Sequence, residues 1–400
     1  MITSGGTPNI RTLGLISSVA LLIIANGPVR AQTAEEQERS YRLDTMEQAL
    51  QTKERFDLYG LHFDSDSATI QPESNSLLDD IATALKNFPD WHLRIVGHTD
   101  STGDPEHNVH LSLDRALAIE AALVQRGVDA HRLVTAGLGE GSPVTSNATP
   151  EGRALNRRVE LVRVTDSAEA KRLLKAMSDF LGGQKNLSFS FDSVFQVVTP
   201  TDQKLGLASS GTATLSRPDK IRFARSGGFV DYEILYDGKT LTLLGKNANL
   251  YTQVAAPGTV DQLVDTLQDK YHRHMPGADL LMTNSYDELM QDVYDSKDLG
   301  SGVINGVECD TLAFRKNDVD WQIWIAQGER PYPCRFVITS KLESADPQYA
   351  IQFGDWKFGS DVAADDFSFK NASNAKEVTL KDVQDKLRDL PENFKLGDAK

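Results

Sequence analysis

His98-Thr99-Asp100-Ser101-Thr102-Gly103 and Leu111-Ser112-Leu113-Asp114-Arg115-Ala116 place an acid and a base fifteen positions apart. Leu93 and Ile95 alternate with His92 and Arg94, and Gly97 ends the run, which predicts a short strand before Asp100. Ser112 is an N-cap type of residue, and Ala116, Ile119 and Leu123 share one helical face. Together they predict a helix that starts at Ser112, with Arg115 in its first turn. An acid in a loop beside a base on a helix suits a zwitterion: the carboxylate holds an ammonium and the guanidinium a carboxylate. A helix N-terminus would favour the bound anion, and arginine would add a forked, two-bond grip. Taken alone, the pair is better read as a turn acid at Asp100 and a surface helix cation at Arg115.

The surrounding residues decide between these readings. Gly97-His98-Thr99-Asp100, Asn108, Leu111-Ser112-x-x-Arg115-Ala116, Gly127-Val128, Arg132, Gly137-x-Gly139-Glu140, Pro143, Asn147 and Gly152-Arg153-Ala154-x-Asn156-Arg157-Arg158-Val159-Glu160 occur in order. This pattern, from about Phe56 to Val164, resembles the OmpA-like peptidoglycan-binding domain. The resemblance implies that Asp100 and Arg115 clamp the diaminopimelate side chain of the cell-wall peptide. It further implies that Asn108, Thr102, Gly103 and Arg158, within the Asn156-Arg157-Arg158 stretch, shape or support the same pocket. Asp64 and Asp66 follow the first strand, at the loop that borders the groove in that family. The expected action is non-covalent binding, with no catalytic residue, cofactor or metal.

The N-terminal stretch agrees with a wall-facing location. Arg11 supplies positive charge, Leu13 to Ala25 is almost wholly apolar, and Val29-Arg30-Ala31 offers a small-x-small cleavage site. Residues 1–31 therefore read as a signal peptide, with an uncleaved membrane anchor as the competing reading. Cleavage near Ala31 would leave a protein in the periplasm of a Gram-negative bacterium, associated with its wall. Losing Arg11 and Arg30 takes the net charge from −15 to −17, which disfavours nucleic acid as a partner because its phosphates would be repelled. Cys309 and Cys334 are the two cysteines of the chain. In an exported protein such a pair predicts one disulfide between neighbouring strands.

Four hundred residues exceed what one core organises, so an α+β chain of two domains is expected. Residues 32–55 read as a polar, weakly helical lead-in that spaces the first domain from its neighbours. Residues 56–164 follow a βαβαβ-loop-β plan, with a strand at Leu58 to Phe63, a helix after Pro72, a long loop from Gly137 to Leu155 and a last strand from Arg157 to Val164. A short polar joint from Thr165 to Ala170 leads to a helix carrying Leu173, Leu174, Met177 and Leu181, and then to a domain over about 168–375. Strand patterns dominate that domain, and Asp237-Gly238 marks a hairpin turn. Residues 376–400 read as a charged helix or tail.

Arg217-Pro218-Asp219-Lys220-Ile221-Arg222, Tyr236-Asp237-Gly238-Lys239 and Trp321-Gln322-Ile323-Trp324-Ile325 resemble a family of periplasmic domains of unknown function. Those domains are similar in plan to the Lol lipoprotein-carrier fold. The resemblance implies a mostly antiparallel, half-open β-barrel with helices, and a lipid or lipoprotein as its partner. A periplasmic carrier or sensor that the first domain merely positions is thus the alternative function, and a plain packed core is the competing reading of the apolar alternation. Phe63-Asp64-Ser65-Asp66 lacks the partners of a phosphatase nucleophile loop, and Gly137-x-Gly139-x-Gly141 is followed by no immediate helix signal, so neither supports phosphate chemistry.

Overall fold

The computed structural model describes residues 34–228, 230–269, 277–343, 345–382 and 390. The signal segment with its cleavage site, and most of the expected C-terminal helix, lie outside the described residues.

The first domain opens with α1 (Ala34–Lys53), β1 (Arg55–Leu58), α2 (Asn75–Asn87), β2 (His92–Gly97) and α3 (Pro105–Gln125). It closes with β3 (Leu133–Gly137), α4 (Pro150–Asn156) and β4 (Val159–Val164). The sheet order is β1-β4-β2-β3, with β2 and β3 parallel and the other pairs antiparallel. Leu93 and Ile95 face a core shared with Leu77, Leu78, Ile81 and Leu85 of α2 and Ala116, Ile119 and Leu123 of α3. Arg132 fastens the end of α2 to this layer by donating to the carbonyls of Leu85, Phe88 and Trp91 at 2.9, 2.7 and 2.8 Å.

Four local expectations are corrected. The lead-in is no spacer: α1 packs Met46 and Leu50 fully into the core, and Arg39 and Arg42 grip the buried Asp80. The first strand is Arg55–Leu58 rather than 58–63, since the chain leaves the sheet at Tyr59-Gly60 and only Phe63 and Ile70 pair again. The helix carrying Arg115 starts at Pro105, capped by Asp104, whose side chain accepts the His107 N–H. Ser112 therefore lies mid-helix and buried, and Arg115 is nearly three turns from the N-terminus. The long loop after Gly137 contains α4, started by Thr149 as N-cap and by Pro150.

The second domain begins with α5 (Ala168–Gly182), then β5 (Asn186–Val198), β6 (Lys204–Ser216), β7 (Lys220–Gly227), β8 (Asp231–Tyr236), β9 (Thr240–Gly245) and β10 (Leu250–Ala255). It continues through α6 (Val260–Asp269), α7 (Ser285–Met290), β11 (Asp295–Ile304), β12 (Val307–Arg315), β13 (Val319–Ala326), β14 (Pro333–Ser340), β15 (Gln348–Phe358) and β16 (Lys376–Glu377). These strands form one twelve-stranded sheet, ordered β11-β12-β13-β14-β15-β5-β6-β7-β8-β9-β10-β16. Every pair is antiparallel except the terminal β10–β16 pair. The alternation read from the sequence is the reason: Leu187, Phe189, Phe191, Ala213 and Leu215 point to one face, against Leu174, Met177 and Leu181 of α5. Asp237 caps the β8–β9 turn by accepting the N–H groups of Lys239 and Thr240, and Gly238 supplies φ +89 there. The chain is thus a mixed α+β protein, an OmpA-like α/β domain followed by a large sheet-rich domain. Residues expected in the charged tail begin instead with β16, paired to the edge of β10.

The expected disulfide is not supported by the structure. Cys309 and Cys334 are free thiols with Sγ atoms 2.8 Å apart, beyond the roughly 2.05 Å of a bonded pair. Both sit in an apolar pocket with Ala326, Trp324 and Tyr332, and burial pushes both thiol pKa values up.

Candidate functional site

Two backbone contacts create the site. A Cβ built on Gly97, at the end of β2, would lie 2.1 Å from the Ser112 carbonyl oxygen, and one on Gly137, at the end of β3, 2.4 Å from the Leu113 nitrogen. Glycine at both positions therefore lets α3 cross the strand ends in backbone contact. That crossing brings the loop after β2, which carries Asp100, alongside the helix that carries Arg115.

Asp100 is 7% exposed. It accepts hydrogen bonds from Arg157 Nη1 at 2.6 Å and from the Thr102 N–H at 2.8 Å. Burial alone would raise its pKa, but those bonds outweigh it and hold the carboxyl below the ordinary aspartate value. Asn108, buried on α3, ties the loop down from below: its Nδ2 donates to the Thr102 and Asp100 carbonyls at 3.1 and 3.4 Å and to Glu140 Oε2 at 2.8 Å. Gly103, at φ +100, turns the loop back toward α3. Asn108→Ala leaves Glu140 and both carbonyls short of a donor, so a loss of about 1–3 kcal/mol is expected. Urea unfolding reads this directly, and an unchanged midpoint would remove Asn108 from this role.

Arg115 does not bond Asp100 in this structure. Its Nε donates to the Ser67 carbonyl at 3.0 Å, and its guanidinium carbon lies 5.0 Å from the centre of the Phe63 ring. Burial lowers its pKa, opposed by the charge of Asp66. The Phe63–Ile70 loop thus takes the Nε corner of the guanidinium and leaves the fork of two Nη groups as the end able to grip a ligand carboxylate. Asp66 anchors that loop through His107 Nε2 at 2.7 Å, and Asp64 accepts from Gln71 Nε2 at 3.3 Å.

Of the two adjacent arginines, Arg157 reaches the pocket and Arg158 turns away from it. Arg158 is 4% exposed and lies 3.4 Å from Asp57 Oδ1, while its Nη2 donates to the Ser142 carbonyl at 3.2 Å. It belongs to a network behind the loop, in which Glu160 Oε2 meets the buried His98 Nε2 at 3.1 Å and Glu160 Oε1 meets the more exposed Arg55 Nε at 2.9 Å. The structure therefore brings Asp100, Thr102, Gly103, Asn108 and Arg115 together, with Asp66 at the rim. Within the Asn156-Arg157-Arg158 stretch it is Arg157, not the singled-out Arg158, that meets Asp100, and the structure adds His107, which the sequence reading did not assign to the site. Among the described residues, no cluster of three or more His, Cys, Asp or Glu side chains could hold a metal ion.

Known proteins match parts of this chain. The OmpA family matches residues 62–157. Over 99 residues the chain is 46% identical to the probable lipoprotein YiaD of Escherichia coli (strain K12), covering 25% of this chain and 45% of that protein. Over 100 residues it is 46% identical to the peptidoglycan-binding protein ArfA of Mycobacterium tuberculosis (strain H37Rv), covering 25% and 31%. The chain thus spans less than half the length of either of these curated relatives. A crystal structure of the peptidoglycan-associated lipoprotein from Burkholderia pseudomallei matches at 36% identity and a TM-score of 0.25, over 26% of this chain and 87% of that one. The remainder of the chain is matched over residues 170–381 by the family described as predicted periplasmic protein (DUF2092). The chain belongs to that DUF2092 family and carries an OmpA family domain ahead of it.

Proposed function

We propose that the first domain binds peptidoglycan non-covalently, through the zwitterionic end of a diaminopimelate side chain, and so anchors the second domain to the cell wall in the periplasm. The observation that carries this reading is the opposed pair itself: an ionised Asp100 on a tied-down loop, facing an Arg115 whose Nη fork is aimed by the Ser67 carbonyl. Asp100 would take the ligand ammonium, sharing its carboxylate with Arg157, and Arg115 the ligand carboxylate. Arg158 would act from behind by fixing the strand entry. The name of the relative ArfA supports peptidoglycan as the partner. Co-sedimentation of the purified chain with sacculi tests the proposal, and its absence would defeat it.

The pH dependence follows from Asp100. Its folded pKa is depressed, so its contribution is present above the ordinary aspartate value of about 3.9 and is lost as pH falls through the lowered value. Sacculus binding is therefore expected to stay level from pH 7 to about pH 4 and to fail only below that. A loss centred near pH 6 would point to a histidine instead of Asp100.

The carrier reading of the second domain, with an acyl chain or lipoprotein on its helix-covered face, has less behind it. That face is filled by Phe191, Phe223, Leu215 and Phe353 packed with the helices. The hollows of about 400 and 480 Å³ beside β6 are lined largely by Ser, Thr, Gly and Asp rather than by an apolar slot.

A further inference from the structure

In the first domain, helices cover one face of the sheet, and the other face carries Arg94, a residue whose period puts it opposite Leu93 and Ile95. On an uncovered face this guanidinium would be solvated. It is instead 7% exposed, and besides the charge of Glu160 in its own sheet, its hydrogen-bond and ring partners lie in the second domain. Arg94 Nη2 donates to Asn317 Oδ1 in the β12–β13 turn. Its guanidinium carbon lies 3.8 Å from the centre of the Tyr294 ring, just before β11, the distance of a close cation–π stack. Lys341 reaches the same ring at 5.9 Å, and both Lys341 and Arg315 pair with Asp320, at 3.7 and 2.7 Å, which offsets part of the positive charge gathered there. A guanidinium taken out of water is stable only with such partners, so the cover and the arginine depend on each other.

The joint between the domains has no slack. Strand β4 ends at Val164 and α5 begins at Ala168, and the three residues between them are bonded to β11. Ser296 N–H donates to the Thr165 carbonyl at 2.8 Å, Thr165 N–H to Asp295 Oδ1 at 3.0 Å, and Ser167 N–H to Ser296 Oγ at 2.9 Å. Asp166 and Ser296 form a parallel bridge. Asp295 and Ser296 are themselves buried. A flexible tether would leave such backbone groups to water.

We propose that the Arg94 face of the first sheet is a permanent docking surface for the second domain, the chain's own β11 entrance and β12–β13 turn being the partner it fits. The two domains then travel as one body, and whatever holds the first domain also fixes the orientation of the second. The proposal does not rest on the wall-binding reading. Calorimetry of the whole chain is expected to give one unfolding transition, which splits into two in the Arg94→Ala, Tyr294→Ala double variant. Small-angle scattering should at the same time report a longer maximum dimension for the double variant. Asn317→Ala changes an exposed turn residue, so it leaves both cores intact if the double variant misfolds. It is expected to weaken the coupling in the same direction. Sacculus co-sedimentation should be unaffected by Arg94→Ala, which separates failure here from failure at the Asp100 pocket. Two independent transitions already in the wild type, or a double variant with wild-type transition and scattering profile, would overturn the proposal.

Discussion

Replacing Asp100 and Arg115 together by alanine is expected to abolish co-sedimentation with sacculi while leaving the chain folded. Each is half of a charge-assisted contact worth roughly 1.5–3 kcal/mol, so losing both should weaken binding by about 10²- to 10⁴-fold. The single variants should differ in kind. Asp100→Ala frees Arg157, whose guanidinium then sits 2.6 Å from the former carboxylate position and repels an incoming ammonium. Asp100→Asn keeps the acceptor for the Thr102 N–H but loses the charge, so it separates loop shape from ion pairing. Arg115→Lys retains charge without the fork, and the Ser67 carbonyl would hold its single ammonium back from the ligand. Its binding should fall closer to Arg115→Ala than to wild type. If the double alanine variant sediments with sacculi as the native chain does, the wall is held somewhere else.

Much of this arrangement is legible in the sequence. The strand under Leu93 and Ile95, the α5 stripe and the β5–β9 run were readable because their side-chain periods match the faces they bury. The helix start at Ser112 was misread because an N-cap residue type is not a cap by itself. Asp104-Pro105-Glu106 carries the same signals seven residues earlier, and there the Asp104 side chain makes the bond. Arg157 and Arg158 could not be told apart, since adjacent residues at a strand entrance point in opposite directions and only tertiary contacts say which meets Asp100. Arg94 read as a polar, outward position, which is true of the isolated sheet; the domain that buries it lies two hundred residues away. Met46 and Leu50 were hidden in a lead-in whose polar composition outweighed two core positions. The cysteines were paired correctly in space, but their chemical state is a matter of redox environment, which spacing does not carry.

Gly97→Ala is expected to damage both stability and binding, and the reason ties the fold to the site. The added methyl would meet the Ser112 carbonyl at 2.1 Å, and both atoms belong to elements with nowhere to retreat. Ser112 is fully buried, its Oγ donating to the Val109 carbonyl at 2.8 Å and accepting the Gly139 N–H at 2.9 Å. Gly97 is paired through β2 with both β3 and β4. Overpacking of this kind costs about 1–3 kcal/mol, read as a lower urea midpoint with an unchanged m-value. Gly127→Ala is the contrast: nothing lies within 4 Å of its added Cβ, and only the strain of φ +88 is imposed. Its cost should stay near 1 kcal/mol, without any effect on binding. For Gly97→Ala, relief comes by moving α3 away from the strand ends, which carries Arg115 and Asn108 away from the Asp100 loop. Sacculus binding should therefore fall even at temperatures where the variant remains folded. A Gly97→Ala chain that unfolds and binds like wild type would mean that the close crossing of α3 over β2 does not set the pocket.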